Sequence, residues 1–222
     1  MQKAIILVCL VLYVTLTSSN CNKKSSPEPT SNDTYQPTTS GSEWNYTTTG
    51  TTASGSVNLA FKLTATSADS TANGRTYRIF TNSAGANEYY LKAGNDYYRI
   101  SSFAGFSASV DFLYLKDNLS AGGSWTEIKS VLVPNVPVAI PVNLSYSIVG
   151  NKFDTSFNGN TFKDVIRVRV RPSSSVATVD LDDITYLYAK NVGMIANKVR
   201  LKISIASVDV NTETKLGSFT IK

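Results

Sequence analysis

The chain has 222 residues, 42% hydrophobic and 10% aromatic, a make-up far from that of disordered polypeptides and sufficient for one core without staples. Its net charge of +5 includes no run of five basic residues, so nucleic acid is not an expected partner. Histidine is absent and both cysteines, Cys9 and Cys21, lie at the amino end, which excludes His-based catalysis, H-E-x-x-H and C-x-x-C metal sites and a disulfide in the body of the chain.

Met1-Gln2-Lys3 gives a short positive start, followed by apolar Ala4–Leu16 and by Thr17-Ser18-Ser19-Asn20-Cys21, the layout of an export signal over residues 1–20. As a helix, these 13 apolar residues rise about 20 Å against a hydrocarbon core of about 30 Å, so removal after export is expected rather than a permanent span. Removal takes away only Lys3 and leaves 20 basic against 16 acidic residues, a charge of +4. Cys21 directly after the apolar stretch resembles a bacterial lipoprotein signal, in which the cysteine is diacylated with palmitate-like chains and becomes the new first residue. Ser18 and Asn20 stand where the usual lipobox has Leu and a small residue, a looseness shared by Bacteroidota-type lipoproteins. The expected location is the cell envelope, at the outer membrane. The alternative is secretory cleavage after Ser19, leaving Cys21 as a free thiol in a secreted or periplasmic protein.

Residues 21–40 are rich in Ser, Thr, Asn and Pro, too polar for a core, and read as a flexible tether spanning about 25 Å. Residues 41–222 read as a single β domain. In chain order, Val57, Leu59, Phe61, Leu63 and Ala65 alternate onto one inner face. Turn signals follow at Ala72-Asn73-Gly74, Ala93-Gly94-Asn95-Asp96, Ala121-Gly122-Gly123 and Asn158-Gly159-Asn160. A two-residue turn at Gly94-Asn95 pairs Ala93 with Asp96, Leu91 with Tyr98 and Tyr89 with Ile100. That register also sorts side chains by polarity, with Tyr89, Leu91, Tyr98 and Ile100 on one face and Tyr90, Lys92, Tyr97 and Arg99 on the other. Three prolines between Val133 and Pro141 exclude a central strand there and suggest an edge or a crossing.

Further inner faces are Val142, Leu144, Tyr146 and Ile148, then Ile166, Val168 and Val170, with Arg167, Arg169 and Arg171 turned outward. The clearest alternation places Ile195, Val199, Leu201, Ile203 and Ile205 inside, with Asn197 as the one polar member, and Lys198, Arg200, Lys202 and Ser204 outside. The expected fold is all-β: an antiparallel meander forming a curved, open or partly closed β-barrel, with a two-sheet β-sandwich as the alternative.

Four phrases, Trp44-Asn45-Tyr46, Leu113-Tyr114-Leu115 with Ala121-Gly122-Gly123-Ser124-Trp125, Phe162-Lys163-Asp164-Val165 and Tyr188-Ala189-Lys190-Asn191-Val192-Gly193, together resemble the TapB-like envelope proteins over roughly residues 42 to 200. The resemblance implies a curved antiparallel sheet or barrel at the envelope and carries no catalytic residues. Asn191 stands where that group often has glycine, so a left-handed asparagine is expected at this turn.

Candidate chemistry is sparse. Asp180-Leu181-Asp182-Asp183 is the one acidic cluster, and Asp180 with Asp182 on one strand face is a weak candidate for calcium or paired-carboxylate work, against the plainer reading of a solvated strand start. Arg167, Arg169, Arg171, Lys198, Arg200 and Lys202 are candidate contacts for an anionic glycan or lipid headgroup if their strands are adjacent. Tyr77, Tyr89, Tyr90, Tyr97, Tyr98, Tyr114, Tyr186 and Tyr188, with Trp44 and Trp125, are core filling or sugar-stacking surfaces. No cofactor is expected. The expected role is non-enzymatic: a β domain that binds an envelope partner or a small or apolar ligand. The alternatives are an assembly component without a pocket and, further off, a glycan-binding module.

Overall fold

The computed structural model describes residues 33–102, 109–132, 139–175, 181–203 and 208–222. Twelve strands make up the compact unit Asn32–Lys222. They are β1 (Glu43–Thr52), β2 (Gly55–Ala72), β3 (Arg75–Asn82), β4 (Glu88–Ala93), β5 (Asp96–Ser102), β6 (Ser109–Lys116), β7 (Ser124–Leu132), β8 (Ala139–Phe157), β9 (Asn160–Ser173), β10 (Leu181–Ala189), β11 (Gly193–Ile203) and β12 (Val208–Thr220). The sheet order is β6-β5-β4-β3-β2-β1-β12-β11-β10-β9-β8-β7, antiparallel throughout. One meander therefore curls until its edge strands β6 and β7 face each other, a nearly closed barrel with a single unsealed seam. Rings from opposite walls touch, with the centroids of Tyr114 on β6 and Tyr188 on β10 at 5.2 Å, so the barrel is flattened at that level. Two facing layers in ring contact are what a sandwich would also present, which is why alternation alone left both architectures open.

The turns obey local backbone chemistry. Asn73-Gly74 and Asn158-Gly159 both have two consecutive positive φ angles, the geometry that matches a two-residue hairpin to strand twist. Asn191 has φ 61°, the left-handed conformation expected of it. The Gly94-Asn95 hairpin has the expected register, Tyr89 with Ile100, Leu91 with Tyr98 and Ala93 with Asp96. The faces of β8, β9 and β11 also follow the alternation: Val142, Leu144, Tyr146, Ile148, Ile166, Val168, Val170, Ile195, Val199, Leu201 and Ile203 are buried. Ile205 and Ser204 lie outside the described residues.

Two expectations are corrected. In β2 only Leu63 and Ala65 are buried, while Leu59 is 45% exposed, because its neighbours on β1 are Thr48 and Gly50 rather than apolar side chains. The tether ends earlier than residue 40: Tyr35 and Gln36 are buried, and Tyr35 packs edge-on against Tyr97 at the end of the barrel. That segment is fastened to the β10–β11 turn, where the Asn191 N–H donates to the Thr34 carbonyl at 2.6 Å and the Thr34 N–H to Asn191 Oδ1 at 3.1 Å. Polar composition concealed it because a short plug is held by hydrogen bonds as much as by apolar area. The β4–β5 hairpin, whose two faces are sorted as expected, turns its mixed face inward: Tyr90 and Tyr97 are buried, and Tyr89, Leu91, Tyr98 and Ile100 are left half-exposed outside.

Of the proline-rich segment, residues 133–138 lie outside the described residues. Pro141 does lie in β8, opposite Ser130 of β7. Pairing of β8 with β9 begins only at Asn143, so the position that lacks an N–H meets no second ladder.

Candidate functional site

Among the described residues, the inner face places the Arg99–Glu88 ion pair in a wall of tyrosines. A bulge lets β5 residues Tyr97 and Tyr98 face Leu115 and Leu113, so Tyr114 is the extra residue and its ring is turned inward. Arg99 lies on the inner face of β5, its side chain 17% exposed, with Nε 4.0 Å from Glu88 Oε2. That separation is beyond a hydrogen bond. Glu88 is committed elsewhere, since the Tyr90 hydroxyl donates to its Oε2 at 2.6 Å and Asn82 Nδ2 to its Oε1 at 3.2 Å. The Arg99 Nε–H and the Tyr114 hydroxyl are both buried and unpartnered. Arg99 and Tyr114 also line a cavity of about 20 Å³, together with Phe112, Tyr146, Val170, Tyr186 and Tyr188, room for about one water-sized occupant.

Protonation at this site is fixed. Burial pushes the hydroxyls of Tyr114, Tyr186 and Tyr188 above their ordinary value, so they stay neutral and able to donate. Burial works against the Arg99 charge, but Tyr90 and Glu88 outweigh it and hold its pKa well above the usual guanidinium range. Farther along the lumen, Thr48 and Thr214 share a hydrogen bond of 2.8 Å, and the Asn197 carbonyl oxygen is buried without a partner.

The cavity sits behind the seam. Trp125 of β7 stacks on Tyr146 with centroids 5.0 Å apart and an interplanar angle of 3°. Its indole Nε1–H donates to the Leu113 carbonyl of β6 at 2.9 Å, and the Leu113 N–H donates to Glu127 Oε2 at 2.9 Å. Two side chains thus satisfy the backbone groups that a neighbouring strand would take in a sealed barrel.

The candidates read from the sequence are placed as follows. The strands carrying Arg167, Arg169 and Arg171 (β9) and Lys198, Arg200 and Lys202 (β11) are not adjacent: β10 lies between them. Its Asp183 is opposite Arg200 and 4.0 Å from Arg169, so acid interrupts the basic surface. Asp182 pairs with Leu201 through the backbone, and Asp180 lies outside the described residues, as do Cys21 and the export signal. Among the described residues no group of three or more His, Cys, Asp or Glu side chains is placed to hold a metal. Trp44, Tyr77, Tyr90, Tyr97, Tyr114 and Tyr188 are buried, which removes them as exposed sugar platforms. On the outside of β3 to β6, Ile79, Tyr89, Leu91, Tyr98, Ile100 and Leu113 form a half-exposed apolar face. The Arg99–Glu88 cluster was not found from the sequence. Its only signal was a charge within the Tyr97-Tyr98-Arg99 run. No protein-family model, curated protein or solved structure matches the chain.

Proposed function

We propose that this is a non-enzymatic envelope lipoprotein, tethered through a lipid on Cys21, whose barrel engages a partner protein with its outer surface rather than carrying an apolar ligand inside. The observation that carries the reading is the ring packing of the inner face: Tyr90, Tyr97, Tyr114, Tyr186 and Tyr188 are buried in mutual ring contact, and the cavity they border is about 20 Å³, against about 300–1,000 Å³ for pockets that enclose small molecules. The apolar members of the β4–β5 hairpin face outward and are half-exposed, beside the Arg75–Asp111 ion pair whose guanidinium lies over the Tyr98 ring, and apolar side chains rimmed by charge are a feature of interaction sites. The apolar stretch Ala4–Leu16 shortly before Cys21 and the resemblance of Tyr188–Gly193 to TapB-like proteins support the envelope location.

A photo-crosslinking side chain at Tyr89 or Leu91, in cells that make the protein, tests this directly. One discrete protein adduct from these positions, absent when the same group replaces Thr49 on the outside of β1, is the expected result. Adducts from none of the outer positions, with an apolar compound recovered from the lumen, would overturn it.

A further inference from the structure

Residues 33–36 fasten the start of the described chain to one end of the barrel. Lys190 Nζ lies 3.0 Å from Asp33 Oδ1, and Lys92 Nζ donates to the Asp33 carbonyl at 3.0 Å. The Thr34 carbonyl and N–H are both bonded to Asn191, and the Tyr35 N–H donates to the Tyr97 hydroxyl at 3.2 Å. Tyr97 in turn donates to Asp117 Oδ2 at 2.8 Å. Lys92 is at the end of β4, Asp117 follows β6 and Lys190 follows β10. Even-numbered strands of an antiparallel meander run in one direction, so all three stand at the same end. The close of β12 is there too, with the Lys222 N–H donating to Ser42 Oγ at 3.1 Å. The β1–β2 turn at Ala53-Ser54 is at the other end, beyond the 10 residues of β1, about 30 Å along the strand.

Resting on the lipid anchor at Cys21 proposed above, we infer that this fastened end is the face of the barrel apposed to the membrane, and that it meets the headgroup surface of the bilayer holding the Cys21 acyl chains. Chain length decides the orientation. The steps from Cys21 to Asp33 span at most about 40 Å. The bonds of Asp33, Thr34 and Tyr35 add no slack beyond that point. To bring the β1–β2 end to the bilayer, the same few residues would have to run back along about 30 Å of wall and round its rim, close to full extension, where chain entropy opposes them. The chemistry of the fastened end agrees. Its turn residues Asn95, Ser120 and Asn191 are exposed and polar, while the exposed large hydrophobics among the described residues, Leu59, Ile128 and Val149, all lie within strands. Such a rim meets headgroups without entering hydrocarbon. The half-exposed face of β3 to β6 then stands on the side of the barrel, open to a partner protein.

The test uses the full acylated protein, extracted from its own cells and reconstituted into vesicles that carry an acceptor dye on a fraction of their headgroups. Once Cys21 is acylated the chain that begins there has no other thiol, so a donor dye goes to one introduced site: Asn95→Cys or Ala121→Cys at the fastened end, or Ser54→Cys at the other. Energy transfer should place the labels at 95 and 121 about 20–30 Å nearer the bilayer than the label at 54. Lengthening the tether about threefold with Gly and Ser inserted after Ser31 should remove most of that difference. Equal heights at the two ends, a nearer label at 54, or a difference undiminished by the longer tether would each overturn the inference. Mass spectrometry of the same samples keeps the two claims apart. An unacylated amino terminus, with the protein absent from the vesicles, contradicts the anchor and the orientation with it, whereas acylated, vesicle-bound protein with the wrong end nearer contradicts the orientation alone.

Discussion

Gly50 shows how tightly single positions are set in this sheet. Its φ is 138°, and a Cβ added there would lie 2.1 Å from the Asn211 carbonyl oxygen on the paired strand β12. Gly50→Ala must therefore part the β1–β12 ladder as well as strain the backbone, an expected loss of about 2–4 kcal/mol. Gly85→Ala, with open space around its Cβ and no positive φ, should cost under about 1 kcal/mol, and denaturant melts of the two variants check the contrast. Equal losses would refute it. Residue-level chemistry of this kind was partly legible in the sequence. Asn191 and the Asn-Gly turns announced their left-handed backbone because few residues adopt it. Arg99 did not announce its inward orientation: period-two alternation says which side chains share a face but not which face turns inward. Inside, Arg99 lies beside Glu88 and shares a cavity with the tyrosines of β10, neighbours about 10 and 90 residues away in sequence, which no local pattern records.

At the scale of elements, the seam decides whether the sheet is stable. A barrel removes edges only when it closes, and here β6 and β7 close through Trp125 and Glu127 rather than through a ladder. Glu127→Ala should cost about 1.5–3 kcal/mol, because it removes a charged acceptor from a backbone N–H. Trp125→Phe keeps the ring but drops the indole donor, at about 1 kcal/mol. Amide exchange gives a sharper readout. The Leu113 amide, which has a side-chain acceptor, should be protected in the native protein and should exchange much faster in Glu127→Ala, and fast exchange in both proteins would contradict the seal. Elsewhere on the barrel, the basic strands β9 and β11 are interrupted by Asp183 of β10, so anionic vesicles should retain the protein only weakly at low salt and not at about 0.15 M. Tight, salt-resistant retention would restore the headgroup reading. Strand positions were legible because alternation and turn residues agree. The identity of the two edge strands was not, since nothing in β6 or β7 differs locally from a paired strand.

The barrel of the unit Asn32–Lys222 has phenols in its core, and this sets its response to alkali. Tyr46, Tyr90, Tyr114 and Tyr188 are buried, and desolvation raises their pKa, in Tyr35 to about 12. Between the unfolded value near 10 and these raised values the unfolded chain has lost protons that the folded chain keeps, so stability falls as pH rises through that window and is complete below it. Tyrosine absorbance near 295 nm should show only part of the 12 tyrosines titrating freely, with the rest ionising together with loss of the β-sheet dichroism. Smooth titration of every tyrosine near pH 10 with the sheet intact would be incompatible with this core. An interior occupied by the chain's own rings leaves the outside for recognition, and mass spectrometry of the protein extracted from the membranes of its own cells tests that most directly. Under native conditions the expected mass is that of the polypeptide from Cys21 with its acyl chains and no apolar passenger, unchanged on denaturation. A stoichiometric lipid or other apolar compound released on unfolding would show that the barrel is a carrier, and an unacylated amino terminus would show that it is not anchored as proposed.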